Sequence, residues 1–179
     1  AGVTQVIADA QTLGSIEGLC GRLSIPIGTV SDSLADSVSP LPVLSPTRRA
    51  MIVYTSGTTS KPKGAVTTHG NIAAQIETLI TAWEWQEDDV IPLFLPLHHV
   101  HGIINVLSCA LWAGATVHAM PKLDLPALCA QVAADTFSVF MAVPTIYVKL
   151  IDHLETLEEG EVERICEGFA NMRLNVSGS

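Results

Sequence analysis

The sequence predicts an α/β fold, a layered and mainly parallel sheet with flanking helices. Three observations point there. From residue 50 onward, short apolar β-prone segments alternate with segments whose apolar residues recur at helical spacing, the pattern of βαβ crossovers. Hydrophobic residues make up 48% of the chain and aromatics only 5%, which suits an aliphatic core and argues against disorder. The first strand of the alternation empties into a loop of glycine, hydroxyl and lysine residues, the kind of loop that holds a ligand at the carboxyl end of a strand. With 179 residues, the chain can bury a sizeable core as one domain.

The elements follow in order. Residues 4–8 and 25–30 read as strands around a short helix. Residues 31–46, rich in Ser, Pro and Asp, read as a surface linker. Residues 50–54 (AMIVY) are a buried strand, and residues 65–67 a short β return from the loop that follows it. Ile72, Ile76, Leu79, Ile80 and Trp83 form the stripe of a helix over residues 69–85, capped near Thr68. Residues 89–95 are a strand, whose Pro92 suggests an edge or a strand end. A buried helix over residues 101–113 stops at Gly114, and a strand covers 115–120. Asp124 caps a helix bearing Leu125, Leu128, Val132 and Ala133. A strand over 138–143 meets Pro144, which opens a helix with Ile146, Leu150 and Leu154 on one face. A polar helix over 158–170 leads to a strand at 174–176. No internal repeat is evident.

Nine basic against eighteen acidic residues give a net charge of −9. Such a chain is a poor general binder of nucleic acid or anionic membrane. Its four cysteines are widely spaced without a C-x-x-C pair, so buried free thiols in a reducing compartment, cytoplasmic or mitochondrial, are expected rather than disulfides or a zinc site. The first residues lack a signal peptide's pattern, and the most apolar stretch, residues 102–117, is too short for a membrane span.

The segment YTSGTTSKPKG, residues 54–64, holds the most specific chemistry. Thr55, Ser56, Thr58 and Thr59 crowd around Gly57, and Ser60, Lys61, Lys63 and Gly64 follow. Glycine lets backbone approach an anion, N–H groups and hydroxyls donate to its oxygens, and ammonium groups neutralise it. These are the ingredients of a phosphate loop; the plainer alternative is a solvated turn. It is not a Walker A loop, because Pro62 stands where the second glycine is required.

The same segment resembles the phosphate-loop signature of the adenylate-forming (AMP-binding) enzymes, which include acyl-CoA synthetases, luciferases and peptide-synthetase adenylation domains. It departs from that signature at Ser60, where glycine is usual and a serine can still donate to phosphate. LPLHHVHG (95–102), AVPTIY (142–147) and MRLNVSGS (172–179) are similar to the family's later motifs. Together they look most like the malonyl-CoA synthetase branch. The resemblance implies that residues 1–179 belong to the family's large N-terminal domain, with the C-terminal domain outside this chain and the chain inactive alone. It implies ATP, Mg²⁺ and CoA, with a Mg²⁺-ligating glutamate expected outside this chain, and a carboxylic acid such as malonate or methylmalonate. The acid is activated as an acyl-adenylate and passed to the CoA thiol. A nucleotide-binding module that never catalyses ligation, and a peptide-synthetase adenylation domain, remain alternatives.

Under that resemblance Thr55, Ser56, Gly57, Thr58, Thr59, Ser60, Lys61, Lys63 and Gly64 hold the phosphates. His99 gates thiol access between the acyl and nucleotide pockets. His98, His101, Arg173, Ser177 and Gly178 are substrate-binding candidates, with His101 meeting a second carboxylate. Read from residue types alone, the three histidines also fit a metal cluster or packing at a strand–helix corner. Lys149 and Arg173 are candidate counter-charges for the carboxylate, or solvated helix and strand ends. Trp83, Trp85 and Trp112 read as packing, and His118 as a strand residue without a role in chemistry.

Overall fold

A computed structural model describes residues 3–29, 40, 42–55 and 63–178. The chain divides into two units, Ala1–Val43 and Leu44–Ser179. In the first, β1 (Val6–Ala8) and β2 (Ile27–Thr29) pair in parallel, joined through α1 (Ala10–Arg22). Asp9 caps α1 by accepting from Thr12 N–H at 2.7 Å. Residues 31–39 and 41 of the expected linker lie outside the described residues.

The second unit holds the motifs. β3 (Arg49–Thr55) and β4 (Lys63–Thr68) form an antiparallel hairpin, longer at both ends than the sequence predicts. Thr68 then caps α2 (His69–Ala82) in a capping box with Asn71. β5 (Val90–Leu93) pairs in parallel with β6 (Thr116–Ala119), and β7 (Val139–Ala142) with β8 (Leu174–Ser177). Between β5 and β6 run a π-helix, His101–Ser108, and α3 (Cys109–Ala113), which ends at Gly114 with φ 79°. That positive φ needs glycine. α4 (Leu125–Val132), α5 (Pro144–Leu154) and α6 (Glu159–Asn171) complete the alternation.

Three of the four described strand pairs are parallel, as an α/β fold requires, and the antiparallel pair is the hairpin of the predicted phosphate loop. The ladders are separate, each with two strands, rather than one continuous sheet. Pro92 gives the reason at the centre. Val90 N–H faces β7, bonding Ser138 Oγ at 3.0 Å. Two residues on, Pro92 faces the same way and has no N–H to give. Ser138 N–H reaches Val90 O at 3.1 Å, but no β5–β7 ladder continues among the described residues. Pro92 is fully buried, so it marks an edge in hydrogen bonding and not an edge exposed to solvent.

β7 shows the layering most clearly. All four of its residues are buried. Val139 and Met141 pack with Ile76, Ile104, Val106 and Cys109, from α2, the π-helix and α3. Phe140 and Ala142 pack with Leu128, Val132, Leu150 and Ile165, from α4, α5 and α6. Alternate side chains of one strand therefore feed two helix layers. Burying one such large apolar side chain contributes about 1.5–3 kcal/mol.

A polar lock ties the strand starts together. Asp89, 2% exposed, accepts from Arg173 Nε at 2.7 Å, from Arg173 Nη2, from Ser138 Oγ at 2.7 Å and from Gln86 N at 2.8 Å. Arg173 Nη1 also donates to Trp83 O at 2.8 Å. Burial pushes the Asp89 carboxyl up, but these hydrogen bonds and the guanidinium charge outweigh it and hold the group below its ordinary value.

Three side-chain expectations divide. Trp85 is buried, whereas Trp112 is 55% exposed and does not serve as core. Cys20, Cys109 and Cys129 are buried free thiols, and Cys166 is free but exposed. His118 lies edge-on to Phe137 at 5.6 Å, a packing contact.

Candidate functional site

The hairpin register sets the ends of the predicted phosphate loop. Tyr54 faces Gly64, and Thr55 faces Lys63 across the antiparallel pair. The backbone at Thr55 and the residues Lys63 and Gly64 are therefore neighbours. Ser56, Gly57, Thr58, Thr59, Ser60 and Lys61 lie outside the described residues.

The second half of the site lies where β5 and β7 end. The two strands start together at Val90 and Ser138. They finish around one cavity of ≈ 640 Å³, lined by Phe94, Leu95 and Pro96 after β5, Val143 after β7, Leu123, and Ile146 and Lys149 of α5. His99, Val100, His101 and Gly102 form its remaining wall. The cavity thus sits outside the carboxyl ends of parallel strands, the usual ligand position in α/β folds. Its walls are mostly apolar, and its titratable side chains are His99, His101 and Lys149.

Gly102 is required by that turn. A Cβ there would lie 2.5 Å from Pro96 O and 3.1 Å from Leu95 O, both backbone atoms. The π winding begins beside it. Ser108 Oγ donates to Ile103 O at 2.7 Å, and Cys109 N–H reaches back to Ile104 O, five residues before it. Helices of this type often sit at functional sites. Two of its buried polar atoms, His101 Nε2 and Asn105 Oδ1, have no hydrogen-bond partner among the described residues. Leaving such atoms unpaired costs about 1–3 kcal/mol each, so a polar ligand or water at this spot is favoured.

The predicted histidines separate into different roles. His99 is exposed and lines the cavity; its N–H bonds Pro96 O at 3.2 Å. His98 is exposed outside the lining and packs its ring on His99 at 4.3 Å. His101 is half-buried, and burial lowers its pKa, partly offset by the nearby Gly178 backbone. Two substrate-binding candidates from separate motifs are thus near one another. Ser177 is exposed at the end of β8, opposite Ala142. Among the described residues, no group of three or more His, Cys, Asp or Glu side chains could hold a metal ion.

Arg173 requires correction as a substrate-binding residue. It precedes β8, whereas Ser177 and Gly178 are at the far end of that strand. Its guanidinium is committed to Asp89 and Trp83 O, an ion pair that fixes strand starts. Lys149, its companion as a possible counter-charge, is the one that lines the cavity. Its position two residues past Tyr147 in a helix that opens at Pro144 was the available signal.

A smaller groove of ≈ 170 Å³ runs between Met51 and Thr67 of the hairpin, Asn71 and Gln75 of α2, and Val100. Val100 lines both spaces, so the segment from His99 to His101 separates the hairpin from the main cavity. The hairpin and the apolar cavity, with His99, His101 and Lys149 in its lining, thus meet across one histidine segment.

The chain matches the family model described as AMP-binding enzyme over residues 6–175. It belongs to that family. It is 37% identical over 97% of its length to malonate–CoA ligase ACSF3, mitochondrial, of Mus musculus, and covers 32% of that protein. The crystal structure of ATP-bound MatB from Rhodopseudomonas palustris superposes with a TM-score of 0.77 at 28% identity, covering 98% of this chain and 35% of that one. A malonyl-CoA ligase ternary product complex with methylmalonyl-CoA and AMP superposes with a TM-score of 0.79 at 28% identity, covering 98% of this chain and 36% of that one. The chain therefore spans about a third of the length of the relatives it matches. No described helix is long and apolar enough to cross a membrane.

Proposed function

We propose that the full-length protein carrying this chain is an AMP-forming acid–thiol ligase for malonate or methylmalonate. The acid carboxylate attacks the α-phosphorus of ATP; a P–O bond forms and pyrophosphate leaves. The thiolate of CoA then attacks the acyl carbon, and AMP departs. Catalysis of this kind rests on positioning and charge neutralisation. The observation that carries the reading is the convergence of His99, His101 and Lys149 on one apolar cavity beside the phosphate-loop hairpin. Similarity to a malonate–CoA ligase and to ATP-bound and CoA-product structures supports it.

In this reading Thr55, Ser56, Gly57, Thr58, Thr59 and Ser60 cradle the β- and γ-phosphates. Lys61 and Lys63 offset charge on the departing pyrophosphate, and Gly64 leaves room at the loop's exit. The acid enters the cavity with its second carboxylate toward His101 and Lys149, and Ser177 and Gly178, at the end of β8, are the further substrate-binding candidates. His99 controls the thiol's approach. A carboxylate beside His101 favours the charged imidazole, against the burial that lowers its pKa. Residues 1–179 are read as part of the N-terminal adenylation domain. Mg²⁺ screens phosphate charge when bound, and its glutamate ligand is placed outside this chain, so no step here is assigned to it. The free thiols support an intracellular setting, cytoplasmic or mitochondrial, and the mouse relative's name favours the second.

The test is ATP–pyrophosphate exchange on the full-length protein with malonate, methylmalonate, acetate and longer fatty acids. Exchange led by the two dicarboxylates is expected. No exchange with any acid, or a preference for acetate or fatty acids, refutes the assignment.

A further inference from the structure

We propose that Tyr147 is a positioning residue that sets the acid pocket's selectivity by pinning the end of β8 opposite His101. The inference rests on the reading that this cavity takes a dicarboxylate. α5 presents Ile146 and Lys149 to the cavity. Tyr147, between them in sequence, turns the other way. Its ring meets Phe140 edge-on at 5.7 Å and 87°, which directs it across β7 toward β8. Its hydroxyl donates to Val176 O at 2.9 Å. Two residues on, Gly178 N–H donates to Ala142 O at 3.2 Å, so the end of β8 is held from both α5 and β7. The Gly178 backbone in turn lies near His101.

These contacts form one connected path from α5 through β8 to the π-helix. Lys149 rides on the first element and His101 on the last. The Tyr147 hydroxyl therefore fixes the spacing between the two side chains assigned to the second carboxylate. Burial raises the phenol's pKa, so it stays a neutral donor at working pH. Tyr147→Phe therefore removes the hydroxyl's bond to Val176 O while keeping the ring's edge contact with Phe140.

The experiment compares the full-length wild type with Tyr147→Phe, using kcat/KM for malonate and for acetate together with thermal melting. Leu150→Val is the control. Leu150 is buried on the same helix among the α4–α6 side chains, and its loss of a methylene weakens packing without touching β8. Tyr147→Phe is expected to lower the malonate-to-acetate ratio of kcat/KM about fivefold, the scale of one hydrogen bond. Leu150→Val is expected to lower the melting temperature and leave that ratio unchanged. An unchanged ratio in Tyr147→Phe, or an equal fall in Leu150→Val, overturns the positioning role and leaves the ligase reading standing. A wild type inactive with malonate overturns the ligase reading and this inference with it.

Discussion

Replacing Asp89 by Asn tests the lock beneath the site. Asp89 is 2% exposed and accepts four hydrogen bonds, two of them from Arg173. Asparagine keeps one acceptor oxygen and turns the other into an NH₂ aimed at existing donors. It also leaves the Arg173 guanidinium without its counter-charge. Breaking a buried pair from one side costs about 3–5 kcal/mol. The Arg173 side chain is 31% exposed, so water relieves part of its loss, and the low end, about 3 kcal/mol, is expected. At about 2–4 °C per kcal/mol for a cooperative unit of about 150–250 residues, the midpoint of the transition that unfolds this domain should fall by roughly 6–12 °C. The assay is thermal denaturation of the full-length protein, with Arg173→Met and the double variant completing a cycle. The pKa direction adds a second readout. The folded Asp89 pKa lies below its ordinary value, so its stabilisation is present above the unfolded pKa of about 3.9 and is lost as pH falls through the folded one. The gap between wild type and Asp89→Asn should therefore close in acid below about pH 4. A variant melting within about 2 °C of wild type at neutral pH would refute the reasoning.

Other outcomes follow from single residues. Gly102→Ala forces a Cβ against two backbone carbonyls and should cost about 1–3 kcal/mol, with a raised KM for the acid; a melting curve and initial rates check it. Lys63→Ala should slow pyrophosphate exchange by about tenfold to hundredfold with little change in melting, the scale of one charge-assisted contact. Cys109, whose thiol burial pushes up to about 11, should resist alkylation at neutral pH while exposed Cys166 reacts, as mass spectrometry of the labelled peptides would show.

Much of the alternation was legible because periodicity records which faces are buried. The stripe at Ile72, Ile76 and Leu79, and the Asp124 and Pro144 helix starts, all correspond to observed helices. The family was legible for another reason: the signature that carries the resemblance lies in residue types within one short run. The π winding at residues 101–108 was not, because HGIINVLS has the same apolar spacing in an α-helix, and the extra residue per turn is a tertiary outcome. Arg173 was misread because its partner Asp89 lies 84 residues away, and nothing local announces an ion pair of that span. Pro92 was legible as a break in hydrogen bonding, but its burial depended on β7 covering the gap.

The most direct measurement is a structure of the full-length protein with ATP and malonate bound. The triphosphate should lie against residues 55–64, and the acid should fill the cavity between His101 and Lys149 with one carboxylate toward the α-phosphorus. A triphosphate bound away from the β3–β4 hairpin, or a cavity left empty while the acid binds elsewhere, would contradict the account.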